Sequence, residues 1–171
     1  GFISKRFEGK LGVVSEDGQT LLAALREQQA AIVAAYEGRD TARAAREIML
    51  LCDKVNSYVD ANKPWDLAKK EGMEARLHDV CTTCIEAFRI LTIYLKPILP
   101  GVAAEVANFL IVPPESFEDV VKPLGQGHQI GEYKHLMQRV DPKQLESLFE
   151  APAGQAAPAA EPAKAEKKAA K

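Results

Sequence analysis

From about residue 19 to residue 110, apolar side chains recur three and four positions apart, and no stretch alternates as a strand would. Residues 1–7 read as the end of a helix, followed by a loop punctuated by Gly9, Gly12 and Gly18. Leu21, Leu22, Leu25, Ile32, Val33 and Tyr36 predict one helix from about Gln19 to Tyr36, closed by a left-handed cap at Gly38. Asp40 or Thr41 can cap the next helix, which should run to about Asn62. Its stripe of Ala45, Ile48, Cys52, Val55 and Val59 is the seam of a helix packed along a neighbour at a shallow angle. Pro64 stops that helix, and a short helical turn over Trp65 to Lys70 should end at Gly72. The longest helix spans Met73 to Lys96. Its wide apolar face holds Leu77, Val80, Cys81, Cys84, Ile85, Phe88, Leu91, Tyr94 and Leu95.

Pro97 and Pro100 break that helix, and Val102 to Leu110 predicts another. Residues 111–132 read as irregular, with Pro113, Pro114, Pro123, Gly125, Gly127 and Gly131. Asp141 and Pro142 should open a final helix to about Glu150. Residues 151–171 carry no large apolar side chain, so burial cannot offset their ordering entropy and they read as a disordered linker. The expected fold is an all-α helical bundle over 1–150, with a linker over 151–171.

Composition narrows the class. With 47% hydrophobic and 27% charged residues the body is globular, and no apolar run is long enough to cross a bilayer, so no membrane partner is expected. The chain has no signal-peptide layout and no initiator Met, which predicts a start inside a larger protein. The net charge is −2, and the Lys-rich stretch Glu161 to Lys171 leaves a body of −4. Such a body argues against non-specific coating of nucleic acid but leaves room for a local basic site. Three cysteines without secretory marks predict reduced thiols and a cytoplasmic protein.

The candidate chemistry is sparse. His78, Cys81 and Cys84 have zinc-ligand types, but helical residues intervene, no fourth ligand is apparent and both cysteines fall on the apolar face, so no metal is expected. Gly125-Gln126-Gly127-His128 lacks the strand and the Lys-Ser/Thr sequel of a phosphate loop. Glu118, Asp119, Glu146 and Glu150 sit in polar faces or loops, and no Ser-His-Asp set is present, so no catalytic residue is expected. Trp65, the sole tryptophan, stands at a helix corner with Lys54, Lys63, Lys69 and Lys70 nearby in sequence. It can serve as a platform for stacking a base; the bland alternative, a plug in the core, is the commoner fate of a Trp. Asn56, beside the apolar stripe, either reads a base edge or is a solvated flank position.

Several blocks together resemble bacterial methionyl-tRNA synthetase. They are Gly1 to Gly9 (GFISKRFEG), Arg46 to Met49 (REIM) leading to Asn56 to Asp60 (NSYVD), Pro64-Trp65 with Ala68 to Gly72 (AKKEG), Tyr94 to Pro100 (YLKPILP), and Arg139 to Asp141. Their order and spacing resemble the C-terminal helical domain of that class I family over residues 1 to about 150. The proline–tryptophan pair and the LKPILP block also occur loosely in the isoleucyl, valyl and leucyl enzymes, which remain the alternative within the class. A non-enzymatic helical interaction module is the alternative outside it.

The resemblance implies a ligase that joins methionine to tRNA(Met) with ATP, through a helical domain that holds the CAU anticodon loop. The tryptophan matching Trp65 stacks on the first anticodon base, Pro64 shapes the pocket wall, and Asn56 matches an Asn near the pocket. An Asn and an Arg that also read the anticodon fall upstream of Gly1 in the family, as do the HIGH and KMSKS signatures and a zinc-binding insertion. The chain itself is therefore expected to hold no cofactor, with ATP, Mg and structural Zn belonging to the parent's catalytic region. The segment after 151 resembles a tether to an OB-type tRNA-binding domain through which the parent would form a homodimer. No DNA partner is expected. Without a preceding helix, part of the seam at Ile48, Cys52 and Val55 would lie open, which predicts aggregation.

Overall fold

The computed structural model describes residues 1–136. The expected final helix at Asp141 and Pro142, and the linker over 151–171, lie outside the described residues. Seven α-helices follow in order: α1 (Phe2–Arg6), α2 (Glu16–Arg26), α3 (Gln29–Glu37), α4 (Thr41–Asn62), α5 (Pro64–Leu67), α6 (Glu74–Leu95) and α7 (Pro100–Leu110), then a 3-10 helix at Phe117–Val121. The described residues form the all-α bundle that the periodicity predicts, with one isolated antiparallel bridge between Lys10 and Gln129.

The bounds of α4 follow from its ends. Asp40 accepts from the Arg43 amide at 2.9 Å, satisfying an orphan donor of the first turn. At the other end the residue before a proline is kept out of the helical region, so α4 stops at Asn62. The single helix expected from Gln19 to Tyr36 is instead two, broken at Glu27-Gln28. The residues flanking the break are tied to the 3-10 helix: Arg26 Nε donates to the Val120 carbonyl (2.9 Å) and Gln29 Nε2 to the Phe117 carbonyl (2.8 Å). Local spacing does not report a contact of that range. The left-handed residue after α3 is Arg39 (φ 60°), not Gly38. Bonds from the Arg39 amide to Tyr36 and from the Asp40 amide to Ala35 close a Schellman motif, and Asp40 then caps α4 at once.

Helix α6 is the axis of the fold and packs against α1, α2, α4, α5, α7 and the 3-10 helix. One cluster joins Leu22, Leu25, Ile32, Ile48, Ile90 and Tyr94; another joins Ile3, Leu11, Val106, Leu110 and Ile130, with Cys81, Ile85 and Phe88 packed against it. The apolar face expected for α6 is thus only part of what is buried. Thr82, Thr83, Glu86 and Arg89 are buried as well. Three of them dock loop backbones: Thr82 Oγ1 accepts from the Gly12 amide (2.8 Å), Glu86 Oε1 from the Leu124 amide, and Arg89 donates to the carbonyls of Lys122 (2.7 Å) and Asp119 (2.8 Å). Arg89 also pairs with the Glu115 carboxylate. Gly18 lets α2 approach so closely that a Cβ there would stand 2.4 Å from Thr83 Oγ1.

Two further expectations are corrected. The buried line of α4 is Ala44, Ile48 and Leu51, with Cys52 and Val55 packed at its edge against the core, so the seam is covered rather than open. The exposed apolar residues of α4 are Met49 and Leu50. Residues 111–132 are more ordered than expected, holding the 3-10 helix and the bridge near Gln129. Because Arg89 neutralises Glu86 and Glu115 in a buried setting, removing it leaves uncompensated charge. Arg89→Met is expected to destabilise the fold by about 3–5 kcal/mol, measured by urea denaturation.

Candidate nucleic-acid interface

The sequence-predicted platform sits at the α4–α5 corner. Lys63, between the two helices, is left-handed (φ 44°, ψ 66°), a conformation that costs a non-glycine residue about 1–2 kcal/mol. Hydrogen bonds hold it from both sides: its amide donates to Val59 (2.8 Å), and its carbonyl accepts from the amides of Asp66 (2.8 Å) and Leu67 (3.1 Å). Pro64 opens α5 at the position where a missing N–H matters least. Trp65 follows it with 43% of its surface exposed. This overturns the core-plug reading of the tryptophan.

Pro64 is half-buried and, with Phe2, Val59, Cys84, Phe88 and Phe109, borders an apolar groove of about 390 Å³. Asn56 is exposed on α4, one turn before Val59 and Asp60 on the same face. The structure thus puts Pro64 and Trp65 together on one rigid element, with Asn56 roughly two turns back along α4. Lys54, Lys63, Lys69 and Lys70 are all exposed around this corner in sequence. Only Lys69 has a described ion pair there, with Asp66 at 3.5 Å, and an exposed pair of that length holds its partners weakly. An exposed aromatic face with lysines nearby in sequence suits a base stacked between phosphates.

One residue at this corner escaped the sequence reading. Arg76, in the first turn of α6, donates to Asn62 Oδ1 (2.6 Å), Asp79 Oδ2 (2.6 Å), Asp17 Oδ2 (2.5 Å) and Ser15 Oγ (3.0 Å). Hydrogen bonds from Arg76, and then from the Ser15 hydroxyl, hold the Asp17 carboxyl well below the usual carboxylate range. Asp17 in turn pushes the Arg76 guanidinium up. The local signal was an Arg and an Asp three apart on a helix, a pattern common on solvated faces.

The zinc-like run is occupied otherwise. The His78 ring stacks on Phe7 (centroids 3.9 Å apart, planes at 4°), and its Nε2 donates to the Lys10 carbonyl at 2.8 Å. Gly12 makes room for it, since a Cβ there would meet the ring at 2.8 Å. Burial pushes the Cys81 thiol up to about 12, helped by Cys84, and the Cys84 thiol up to about 11. Among the described residues no three His, Cys, Asp or Glu side chains are grouped to hold a metal. The glycines of 125–128 serve the loop: Gly125 and Gly127 are left-handed, the Gly127 amide donates to Leu11, and His128 Nε2 donates to the Leu110 carbonyl. Asp119 joins a capping box with Ser116. Glu146 and Glu150 lie outside the described residues.

Residues 9–157 match the family described as the anticodon-binding domain of methionyl tRNA ligase. The chain belongs to that family. It is 63% identical over 153 residues to the methionine–tRNA ligase of Albidiferax ferrireducens, covering 90% of this chain and 22% of that protein. It is 60% identical over 159 residues to that of a Polaromonas species, covering 93% and 23%, and 52% identical over 171 residues to one from Neisseria meningitidis, covering 98% and 24%. The chain therefore spans less than a quarter of the length of these curated relatives. The free-state crystal structure of Mycobacterium tuberculosis methionyl-tRNA synthetase superposes with a TM-score of 0.75 at 22% identity, over 82% of this chain and 30% of that one, which establishes the shared fold. The match favours the methionyl reading over the isoleucyl, valyl and leucyl alternatives and over an unrelated helical module.

Two outcomes follow from the side-chain chemistry. Asp17 binds its proton less readily folded than unfolded. Its contribution is therefore complete above the free carboxylate range near pH ~4 and is lost as the pH falls below it. Melting curves between about pH 5 and pH 2 are expected to show an acid limb that Asp17→Asn flattens. At pH ~8 the protonated Cys81 and Cys84 thiols are expected to react with Ellman's reagent roughly two orders of magnitude more slowly than a free cysteine, and unfolding in urea is expected to abolish the difference.

Proposed function

We propose that this chain supplies the anticodon-reading surface of a methionine–tRNA ligase, whose whole activity joins methionine to tRNA(Met) with ATP. Trp65 stacks on the first base of the CAU anticodon, Pro64 forms the wall that limits where that base can slide, and Asn56 offers an amide to a base edge. The observation that carries the reading is the sole tryptophan of the chain, exposed on a corner whose backbone is held on both sides, in a domain of this family.

Stacking alone gives modest selectivity, because every base has a π-face. The choice of cytosine needs hydrogen bonds to its edge, and Asn56 is the candidate donor and acceptor on this chain. Lys54, Lys63, Lys69 and Lys70 suit the phosphates on either side, which position the loop without reading its sequence. ATP, Mg and structural Zn belong, in this reading, to the parent's catalytic region. Dimerisation belongs to an appended domain, and the working place is the cytoplasm. No described helix is long and apolar enough to cross a membrane.

Titrating the parent protein with a CAU anticodon stem-loop at fixed salt is expected to quench the part of the indole emission that Trp65→Ala removes, and a stem-loop with a changed first base to quench it less. Trp65→Ala is expected to weaken stem-loop binding about tenfold to a hundredfold, the range of one base–aromatic stack of roughly 1–3 kcal/mol, while methionine activation by ATP is spared. Parallel loss of activation would break that division of labour, and equal quenching by both stem-loops would leave only a generic RNA platform.

A further inference from the structure

Asn62 is the last residue of α4, and three residues later the chain reaches Trp65. The Asn62 amide is held at both ends. Its Nδ2 donates to the Tyr58 carbonyl at 2.9 Å, one turn back on its own helix, and its Oδ1 accepts from Arg76 Nη2 at 2.6 Å. The same guanidinium reaches three further groups. It donates to the Ser15 hydroxyl at the N-cap of α2, to both oxygens of Asp17 in the first turn of α2 (3.1 and 2.5 Å), and to Asp79 of α6 (2.6 Å). Asp79 in turn accepts from the Ser15 amide (2.9 Å) and hydroxyl (2.6 Å). One side chain therefore ties the start of α2 and the start of α6 to the end of α4.

The geometry suits Arg rather than Lys. A guanidinium presents five donors in a fixed plane, so acceptors bound to it are fixed relative to one another, whereas an ammonium on a flexible stem imposes no such frame. The charge balance also separates this residue from the exposed lysines. Two carboxylates already face Arg76, so its charge is spent within the protein rather than offered to a phosphate. The last turn of a helix frays unless something holds it, and here the turn that must not fray leads directly into the left-handed Lys63 and the platform.

We propose that Arg76 is a positioning residue for base recognition: through Asn62 it locks the end of α4 and thereby sets the position of the Trp65 ring against the base. The proposal rests on the reading of Trp65 as the base platform.

The test uses Asn62→Ala, Arg76→Ala and Arg76→Lys in the parent protein, each with Trp65 present and in a Trp65→Ala background. Asn62→Ala leaves the clasp of Arg76 on Asp17 and Asp79 intact, so it separates positioning from folding if Arg76→Ala fails to fold. With Trp65 present, Asn62→Ala and Arg76→Ala are expected to weaken binding of the CAU stem-loop by roughly three- to tenfold, within what the stack itself contributes. Arg76→Lys is expected to recover only part of the loss. In the Trp65→Ala background the same substitutions are expected to change nothing further, since a residue acting through Trp65 has nothing left to position. In the free protein, acrylamide is expected to quench the part of the emission that Trp65→Ala removes more readily in Asn62→Ala, with the melting temperature of the domain unchanged. Equal losses with and without Trp65 would make the effect generally structural and overturn the proposal, as would unaltered binding and quenching. If Trp65→Ala alone leaves stem-loop affinity unchanged, the platform reading fails, and positioning for recognition is overturned with it. Increased indole quenching in that case would leave Arg76 only a structural tie.

Discussion

On a helix packed along most of its surface a polar side chain is costly unless it finds a partner, and that constraint organises this domain. Helix α6 is covered by five other helices and by loops, yet it carries Thr82, Thr83, Glu86 and Arg89 in buried positions. An unpaired polar group there costs about 1–3 kcal/mol, and an unpaired charge more. Three of those side chains are matched by backbone brought in from far along the sequence, from Gly12, Asp119, Lys122 and Leu124. The loops after α1 and after α7 are thus shaped by what α6 requires of them. Thr83 Oγ1 and Glu86 Oε2 are left without a hydrogen bond. Glu86 Oε2 lies 3.6 Å from the Arg89 guanidinium, and that ion pair moderates its burial.

The same axis positions the functional corner. The first turn of α6 holds Arg76, which grips Asn62, and α5 packs on α6 directly. Between Asn62 and Trp65 lies a two-residue passage, Lys63 and Pro64, in which the backbone is strained and pinned at once. Strain at a non-glycine left-handed residue persists only when the surroundings over-determine it. Here the hydrogen bonds on both sides of Lys63, the proline ring after it and the clasp on Asn62 do so. The exposed tryptophan therefore stands on a backbone with little freedom left to lose on binding, as the proposed stacking platform requires.

Much of this was legible along the chain. Asp40 and Pro64 bracket α4 because capping and the missing proline N–H act on neighbouring residues, and both signals are local. The break between α2 and α3 was not legible, since the residues beside it answer to carbonyls about ninety positions away. Nor was the shift of the left-handed residue from Gly38 to Arg39, which depends on where α4 must start. Trp65 and Asn56 were legible as candidates from residue type and position, each beside a blander alternative, and the family resemblance added Pro64 and the pocket. Arg76 was passed over because an Arg three residues from an Asp on a helix looks like an ordinary solvated pair.

What the sequence by itself determined was the helical class, the ends of α4, the corner at Pro64 and the place of the sole tryptophan on it. Each follows from backbone restrictions and periodicity within a few residues. Only the tertiary structure decided that Trp65 faces solvent rather than core, that α6 buries polar as well as apolar side chains, and that Arg76 and Arg89 serve as internal ties. Burial and pairing are properties of the assembled surfaces. The same Arg, His or Trp is a solvated residue, a tie or a platform according to what distant segments place beside it.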